Sequence, residues 1–493
     1  MAESRPPIVG IFGHIDHGKS TLLDYIRKTN LTEKEAGGIT QHISAYEITR
    51  PDGKRMTFID TPGHEAFASV RTRGASAADI AVLVVSGEDG VRPQTLEVYK
   101  YIKENALPFI VAITKMDKPG ADLDRTKQNL AENEIYIEGY GGNISCVPLS
   151  AKTGQDVDEL LDIISLQAEI LDLKGEPEEL GSGVIIESRL DAKRGIAATG
   201  IIKNGTVRRG TFVASGGAIA PIRILLDAMG EAADELPPSS PVQIIGWDKM
   251  PPIGREFKTF LKKEEALAYV SSQKNAGLNL HDMKIQNLNT EGVVALPLII
   301  KADTAGSADA IENELRKLSR ERIIPKVIVS GVGSVNENDV KTALATPGAV
   351  ILSFNAKVDA PARALSERSN IKIFPFSIIY ELTGKVAELL SEREPRVETE
   401  EVAGTAKVLK LFSTAKGKQI LGARVTSGSI TRGAIVKIVR REAEIGKGRI
   451  KELQQAKSQV DSVSEGGEFG AMIESKMEAV PGDMLQAVML VTK

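Results

Sequence analysis

Short apolar segments alternate with longer amphipathic stretches through the first third of the chain. The apolar runs are five or six residues long and lie at 8–12, 56–60, 80–85, 109–113 and 145–150. Uninterrupted runs of this length are typical of parallel strands covered on both faces. The segment 156–171 has an apolar stripe at helical spacing and predicts a closing helix. This alternation predicts a doubly wound α/β domain over residues 1–173.

The pattern changes after a polar linker with Gly and Pro at 173–183. Short β-like runs separated by glycine turns predict a β-barrel at 184–258. A helical segment at 262–275 follows, and strand–helix alternation then predicts an α/β/α domain at 276–375. An amphipathic stretch at 376–396 predicts a long connecting helix. The remainder, 397–493, again predicts a β-barrel, so the fold class is multidomain α/β plus β.

The two predicted barrels share an internal sequence similarity. Residues 193–213 parallel 416–436, and Gly205 and Gly210 match Gly428 and Gly433. This similarity favours two barrels of one type on either side of an α/β domain. Chance similarity between glycine turns is the alternative.

The composition is that of an ordinary globular protein, with 42% hydrophobic and 26% charged residues. The net charge is −4, but residues 396–493 carry 16 basic against 12 acidic side chains, which is compatible with an RNA-facing C-terminal part. Cys146 is the only cysteine, which excludes an intramolecular disulfide and a cysteine-rich zinc site. Neither a secretory leader nor a membrane-spanning run is recognisable, so we expect a cytoplasmic protein with no membrane partner.

The sequence GHIDHGKS fits the phosphate-binding loop pattern G-x-x-x-x-G-K-[ST], between a predicted strand and a predicted helix. Its glycines allow backbone N–H groups to converge on phosphates, and the helix N-terminus adds its dipole. Lys19 neutralises phosphate charge, and the Ser20 hydroxyl can bind Mg²⁺. The predicted nucleotide-binding residues of this loop are Gly13, His14, Ile15, Asp16, His17, Gly18, Lys19 and Ser20.

Three further motifs at predicted strand ends decide which nucleotide is bound. In DTPGH, Asp60 can reach Mg²⁺ through water and the Gly63 N–H can sense a γ-phosphate. In TKMD, the Asp117 carboxylate can accept both N1–H and N2–H₂ of guanine, a pair that adenine does not offer. The SAK turn can donate a backbone N–H to guanine O6. The motifs predict GTP and GDP as ligands and add these nucleotide-binding residues: Asp60, Thr61, Pro62, Gly63, Thr114, Lys115, Met116, Asp117, Ser150, Ala151 and Lys152.

Four of the five histidines lie within the first 64 residues. No carboxylate or cysteine spacing among them supports a transition-metal site. His64 follows Gly63, where it could orient an attacking water. We expect His14, His17 and His42 to have structural roles.

These motifs resemble those of the translational GTPases, whose nucleotide loop reads G-H-x-D-H-G-K. The segments 35–48 (EAGGITQHISAYEI) and 58–95 are similar to the bacterial translation initiation factor 2 family and its archaeal and eukaryotic relatives. Similarity to later domains of the family occurs at 183–191, 298–311, 330–340, 351–363 and 401–412. The GTPase domain begins at about residue 8, so we expect the long N-terminal extension of the family to be missing.

The resemblance implies a GTPase that helps place formylmethionyl initiator tRNA on the small ribosomal subunit and promotes joining of the large subunit. Hydrolysis on the assembled ribosome would then allow release. Both ribosomal subunits and initiator tRNA would be partners, and we expect a monomer in solution.

Site residues follow from the same resemblance. Mg²⁺ would be bound through Ser20, Thr40 and Asp60, and Asp16 would help hold a monovalent cation near the phosphates. A second group concerns hydrolysis: His64 would be the catalytic histidine, and Ile15 and Ile39 would form an apolar gate that keeps it from the water.

In the last domain, Phe412, Arg432, Glu468 and Gly470 match residues that the family uses for tRNA, and we predict tRNA binding by these residues and Phe469. Other positions depart from the family. The guanine motif usually begins with Asn, where this chain has Thr114. Two cysteines beside the formylmethionine are replaced by Ala423 and Phe469, and a basic-aromatic segment is replaced by Gln454, Gln455 and Ala456. Phe469 could fill the pocket, or it could stack on the terminal base or the methionine side chain.

The leading hypothesis is therefore a ribosome-activated GTPase of initiation. The departures at 454–456 motivate an alternative, a GTP-gated subunit-joining module with altered or lost formylmethionine recognition. A specialised elongation or rescue GTPase is a third hypothesis, which the predicted α/β domain at 276–375 disfavours. The basic run at 437–451 could contact RNA phosphates or form a solvated strand face.

Overall fold

The computed structural model describes residues 2–28, 43–63, 65–191, 193–276, 293–320, 322–394, 398–415, 417–456 and 458–492. The chain divides into two compact units, Met1–Arg393 and Glu394–Lys493. Within the described ranges, no helix combines the length and the apolar character needed to cross a membrane.

The first domain is a parallel sheet with helices on both faces. Its elements are β1 (Glu3–Ser4), β2 (Ile8–Gly13), α1 (Lys19–Arg27), β3 (Ser44–Thr49), β4 (Arg55–Asp60), a 3₁₀ helix (Glu65–Phe67), α2 (Ala68–Ala77), β5 (Ile80–Ser86), α3 (Pro93–Glu104), β6 (Phe109–Thr114), α4 (Leu123–Glu132), β7 (Cys146–Pro148), α5 (Val157–Ile170) and β8 (Lys174–Gly175). The sheet order is β3-β4-β2-β5-β6-β7, and β1 pairs with β8. All pairings in the larger sheet are parallel except β3 with β4.

Strand β5 shows why this sheet is covered on both sides. All seven of its residues are buried. Val82 and Val84 belong to the apolar cluster that contains α1 and α5, whereas Leu83 and Val85 belong to the cluster that contains α3 and α4. Since successive side chains of a strand point to opposite faces, one strand is packed between two helical layers.

The second domain is an antiparallel β-structure. Its elements are β9 (Ser182–Asp191), β10 (Gly195–Asn204), β11 (Val207–Arg208), β12 (Phe212–Ser215), β13 (Ala218–Pro221), β14 (Ile224–Leu226), β15 (Glu235–Leu236), β16 (Pro241–Ile245) and β17 (Glu256–Phe260). The main sheet has the order β13-β12-β17-β9-β10-β16-β14, and β11 pairs with β15. Helix α6 (Lys263–Ala276) follows and packs through Ala266 and Val270 against Ala214 of β12.

The third domain returns to strand–helix alternation. Its elements are β18 (Val294–Ala302), α7 (Ala305–Lys317), β19 (Ile323–Val332), α8 (Glu337–Ala345), β20 (Val350–Phe354), α9 (Ala360–Arg368), β21 (Ile373–Phe376) and α10 (Ile379–Arg393). The strands form a parallel sheet of order β19-β18-β20-β21. Helix α10 packs on this domain through Leu382, Val386 and Leu389, which are buried in one cluster with α7.

The same cluster joins the first domain to the third. Phe67 and Val70, at the start of α2, are buried together with Ile311 and Leu315 of α7. The ion pair between Glu65 and Lys317, at 2.6 Å, lies at this junction. The segment that follows DTPGH is therefore packed directly against the third domain.

The second unit is a closed antiparallel barrel. Its strands are β22 (Glu398–Ala415), β23 (Lys418–Thr431), β24 (Ile435–Arg440), β25 (Ala443–Gln455), β26 (Ser458–Gln459), β27 (Ser462–Ser464), β28 (Glu468–Ser475) and β29 (Met484–Thr492). The order β22-β29-β24-β25-β28-β23 closes because β23 also pairs with β22. The multidomain α/β plus β fold class predicted from the sequence is confirmed.

The glycines of the internal sequence similarity adopt matching conformations. Gly205 and Gly428 have φ of 67° and 68°, and Gly210 and Gly433 have φ of 90° and 85°. A Cβ atom on Gly205 would lie 2.4 Å from the Leu180 carbonyl oxygen, and one on Gly428 would lie 2.4 Å from that of Ala403. Both β-structures therefore use the same glycine turn, which a side chain would disrupt.

Candidate functional site: the nucleotide loops

The phosphate-binding loop connects the end of β2 to the first turn of α1. Gly18 caps α1 with φ of 86°, a left-handed conformation that glycine adopts without strain. Lys19 follows, is buried, and donates from Nζ to the His14 carbonyl oxygen at 2.6 Å. Burial lowers the pKa of Lys19 to about 8, although the negative charge of Asp60 opposes this shift. Most Lys19 side chains therefore remain charged at pH 7.

The DTPG turn lies directly against this lysine. Thr61 fixes the turn to β2 by donating from Oγ1 to the Ile11 carbonyl oxygen at 2.7 Å. A Cβ atom on Gly63 would lie 2.3 Å from Lys19 Nζ and 3.2 Å from the Ile15 amide nitrogen. The DTPG turn therefore lies close against the phosphate-binding loop, and a side chain at residue 63 would require the Lys19 ammonium to move.

The guanine motifs meet at the ends of β6 and β7. Asp117 accepts a hydrogen bond from Ser150 Oγ at 2.7 Å, and the Met116 amide donates to the Leu149 carbonyl at 3.3 Å. The hydrogen bond from Ser150 is the main cause of the lowered pKa of Asp117. Asp117 is exposed and ionised, so it can accept from a ligand. Lys152 of the SAK turn is exposed, whereas Ala151 is largely buried.

Thr114 ties the guanine motif to the phosphate-binding loop. Its side chain is buried, and Oγ1 lies 2.5 Å from the His17 carbonyl oxygen and 3.3 Å from that of Val85. Lys115 beside it has φ of 61° and places Nζ 3.8 Å from an Asp89 carboxylate oxygen. The threonine that departs from the usual asparagine thus contributes a structural hydrogen bond between two ligand loops.

His17 is a neutral part of the phosphate-binding loop. Its ring is buried, accepts the Ser86 amide at Nδ1 at 3.3 Å, and packs edge-on against the His14 ring at 4.9 Å. Burial lowers the pKa of His17 to about 3 and also lowers the pKa of His14. These two rings are uncharged at neutral pH, so Lys19 supplies the positive charge of the loop.

Ser20 and Asp60 supply the kind of oxygen ligands that Mg²⁺ prefers. Ser20 stands in the first turn of α1 and Asp60 is a largely buried carboxylate at the end of β4. A hydroxyl and a carboxylate beside a phosphate-binding loop fit this ion. No group of three or more His, Cys, Asp or Glu side chains positioned for a metal occurs among the described residues.

Ile15 and Asp16 lie in the described part of the loop, and Asp16 is exposed with φ of 59°. Thr40, Ile39, His42 and His64 lie outside the described residues.

Arg71 is a residue of this site that the sequence reasoning did not identify. Its guanidinium is buried, donating to the Pro62 carbonyl oxygen at 3.3 Å and to Glu97 at 2.7 Å. The only signal in the sequence was an arginine within a segment of small and apolar residues. Its partners, 9 and 26 residues away, were not evident without the fold.

The outer face of the C-terminal barrel carries a glycine patch formed by Gly422 and Gly470. Gly422 of β23 pairs with Gly470 of β28, and the exposed Phe412 ring lies beside Gly422, 3.2 Å from the position of a Cβ there. The ion pair between Arg424 and Glu468 lies two residue pairs further along the strands.

The neighbouring pair, Ala423 and Phe469, points the other way. Both side chains are buried in the barrel core and the two residues face each other across β23 and β28. The phenylalanine thus fills interior space next to a small alanine. Arg432 lies elsewhere on the barrel and pairs with Asp461 at 3.2 Å, and Gln454, Gln455 and Ala456 are exposed at the end of β25.

Much of the predicted basic run is paired with acidic side chains. Lys437 lies 3.4 Å from Glu444, and Lys451 lies 3.0 Å from Glu474. Arg440 forms an ion pair with Asp483 at 2.9 Å.

Three family models match the chain. They are described as Elongation factor Tu GTP binding domain, over residues 4–169, Elongation factor G domain 2, over 181–260, and Translation-initiation factor 2, over 270–387.

Similar proteins span nearly the whole chain. Translation initiation factor IF-2 of a Nitratiruptor species is 43% identical over 496 residues, covering 98% of this chain and 58% of that protein. Its counterpart in Aquifex aeolicus is 39% identical over 493 residues, covering 98% and 61%. The chain thus spans about half to three-fifths of the length of the curated relatives it matches. A crystal structure of GDP-bound aIF5B from Aeropyrum pernix is 27% identical, covers 98% of this chain and 92% of that chain, and has a TM-score of 0.46.

Proposed function

Because this chain belongs to the translation initiation factor 2 family, we propose that it is a ribosome-activated GTPase that acts in the initiation of protein synthesis. The observation that carries the proposal is the convergence of the nucleotide loops. Lys19 and Gly63 are in contact distance, and Asp117 and Ser150 are hydrogen-bonded at the neighbouring strand ends. These are the two halves of a guanine-nucleotide site, one for phosphates and one for the base.

In this proposal the phosphate-binding loop and Lys19 hold the phosphates, and Asp117 selects guanine. Ser20, Thr40 and Asp60 are the proposed Mg²⁺ ligands, and the ion when bound would neutralise charge on the terminal phosphates. Asp16 would help hold a monovalent cation.

His64 would orient the attacking water, and Ile15 and Ile39 would keep it away until the ribosome repositions it. Pro62 and Gly63, directly before His64, lie against Lys19 and Arg71, so any movement of this turn changes the surroundings of the terminal phosphate.

The test is GTP hydrolysis by the purified chain with and without ribosomes. We expect slow hydrolysis alone and strong stimulation by ribosomes. His64→Ala should lower the stimulated rate about 10²- to 10⁴-fold, the usual range for a group that acts on a proton in the transition state, while fluorescent GTP still binds. Asp117→Asn serves as the control for base recognition, because an amide in place of the carboxylate should favour xanthosine over guanosine triphosphate.

Two outcomes would contradict different parts of the proposal. Absence of ribosomal stimulation in the wild type would exclude the translational role, and full activity of His64→Ala would exclude the assignment of that histidine.

We further propose that the C-terminal barrel binds the acylated end of initiator tRNA through the glycine patch of Gly422 and Gly470. At Gly470 nothing among the described residues lies within 4 Å of the place that a Cβ would take, which leaves the backbone open to a flat ligand, and the exposed Phe412 ring beside Gly422 can stack on a base. Phe469 would act by filling the barrel interior and not by stacking, because its ring is buried. Arg432 and Glu468 remain proposed tRNA contacts.

The tRNA proposal is tested with the full chain. It should protect formylmethionyl-tRNA from ester hydrolysis better than unformylated methionyl-tRNA, and Gly470→Val should remove the protection because its side chain covers the glycine patch. Ser462→Val, an exposed change on β27, is the matched control and should leave the protection intact. Equal protection of both tRNAs would instead favour a subunit-joining module without formylmethionine recognition.

A further inference from the structure

Arg71 connects the nucleotide site to α3 through a buried guanidinium. Its side chain is only 3% exposed, Nη1 donates to the Pro62 carbonyl oxygen at 3.3 Å, and Nη2 donates to Glu97 Oε2 at 2.7 Å. We propose that Arg71 is the positioning residue of the turn that reads the γ-phosphate. This inference rests on the proposed GTPase function and deepens it.

Arg71 reaches the DTPG turn because it lies on the face of α2 that packs against this turn. Arg71 and Gly74 are three residues apart and therefore lie on the same side of the helix. A Cβ atom on Gly74 would lie 2.6 Å from Thr61 Cγ2, so the helix packs directly on the DTPG turn. From this position the arginine reaches the carbonyl of Pro62, whose peptide plane contains the Gly63 N–H. Fixing that carbonyl fixes the direction of the N–H.

The charge of Arg71 also acts on the phosphate-binding loop. Burial is the main cause of the lowered pKa of Lys19, and the positive charge of Arg71 lowers it further. Two cationic groups therefore lie near the Gly63 turn. Because the Arg71 guanidinium is paired with Glu97, its effect on the preference for GTP over GDP comes from the direction that it gives the Gly63 N–H.

Glu97 allows the arginine to be buried. Moving an isolated charge from water into the protein interior costs free energy. Hydrogen bonds from the guanidinium to a carboxylate and a carbonyl offset this desolvation cost. The Glu97 side chain is 42% exposed, so its removal should disturb the fold less than removal of Arg71. The pair links the turn to α3 (Pro93–Glu104), which is anchored in the core by Val98 and Ile102.

The experiment compares the affinities of fluorescent GTP and GDP analogues for the full chain. Arg71→Gln should lower the ratio of GTP affinity to GDP affinity roughly tenfold, which corresponds to about 1.4 kcal/mol. Glu97→Gln should lower the ratio by a smaller factor, and Arg71→Lys should restore part of it, since the ammonium keeps the charge but lacks the planar fork. GDP affinity should change little in all three variants, which a general loss of structure would not produce.

Arg73→Gln is the matched control. It removes the same charge from the same helix, but Arg73 pairs with Asp309 of the third domain and not with the DTPG turn. We expect an unchanged affinity ratio. If Arg71→Gln does not fold, Glu97→Gln and Arg71→Lys decide the question.

An unchanged ratio in Glu97→Gln and Arg71→Lys, or an equal loss of GTP and GDP affinity in Arg71→Gln, would overturn the inference. A wild-type chain that binds neither nucleotide would instead contradict the proposed function itself.

Discussion

Thr114 carries the hydrogen bond that holds two ligand loops together. The hydroxyl is buried and lies 2.5 Å from the His17 carbonyl oxygen, so it donates within the phosphate-binding loop and not to solvent. Leaving a buried carbonyl without its hydrogen-bond donor lowers the free energy of unfolding by about 1–3 kcal/mol. The guanine half and the phosphate half of the site therefore depend on one another through this side chain.

Replacement of Thr114 by valine should remove the hydrogen bond that connects the guanine half of the site to the phosphate half. Valine has nearly the same shape but no donor, so we expect GDP and GTP affinities to fall together, by roughly tenfold. Titration of a fluorescent GDP analogue measures the change. Thr126→Val is the control, because Thr126 is equally buried but its shorter hydrogen bond, at 2.7 Å, goes to the Asp122 carbonyl at the start of its own helix, with a longer one of 3.3 Å to the Gly87 carbonyl. Unchanged affinity in Thr114→Val would show that the hydrogen bond does not support the ligand site.

The residues of the nucleotide site differ in how far the sequence reveals them. Lys19 and Asp117 are identifiable because a short motif specifies both the residue and the strand end on which it lies. Arg71 is not, since its function depends on Glu97 in another helix. The interior placement of Phe469 could not be predicted either, because it depends on the register of β28 against β23. Motifs encode local geometry, whereas contacts between distant segments require the fold.

Helix α7 shows how one element fastens the second domain to the third. Glu187 of β9 accepts a hydrogen bond from the Gly306 amide, in the first turn of α7, at 3.2 Å. A carboxylate at a helix N-terminus is favoured by the helix dipole. A Cβ atom on Gly306 would lie 2.8 Å from Glu187 Oε2, so the glycine makes room for this contact.

Two Gly→Ala substitutions should therefore have opposite effects. Gly384, in α10, has no atom of the described residues within 4 Å of the place that a Cβ would take, so Gly384→Ala should stabilise the chain by about 0.5–1 kcal/mol through helix propensity. Gly306→Ala should instead destabilise it by about 1–2 kcal/mol, because the methyl group displaces a buried carboxylate. Thermal unfolding of both variants checks the signs. Stabilisation by Gly306→Ala would mean that the Glu187 contact is dispensable.

Among the secondary-structure elements, buried strands are predicted most reliably, because each coincides with an uninterrupted apolar run. Strands β2, β4, β5 and β6 coincide with such runs because they are buried on both faces. Strand β3 is not evident from the sequence, because it lies at the edge of the sheet and only Tyr46 of its six residues is buried. An edge strand of this kind needs its partner to be recognised, and that partner, β4, pairs with it antiparallel.

In the first unit, the first domain and the β-domain that follows it are joined by a buried charge cluster. Asp79 accepts hydrogen bonds from Arg5 at 2.6 and 2.9 Å and from Lys203 of β10 at 2.8 Å. Burial alone would raise the pKa of Asp79, but these cations outweigh it and the pKa is lowered. Because the folded-state pKa lies below the ordinary value of 3.8, the ion pairs contribute above about pH 4 and are lost only in stronger acid.

Asp79→Asn should loosen these two domains at neutral pH. The substitution leaves Arg5 and Lys203 close together without a countercharge, which should cost about 3 kcal/mol, as for other buried pairs that lose one partner. Differential scanning calorimetry should resolve two transitions where the wild type shows a joint one for these domains. Glu169→Gln is the control, because its ion pair with Lys54 is exposed and should not affect the transition. A single, unshifted transition in Asp79→Asn would show that the apolar contacts alone hold the two domains together, and that the charges are not needed for a rigid connection between the nucleotide site and the β-domain.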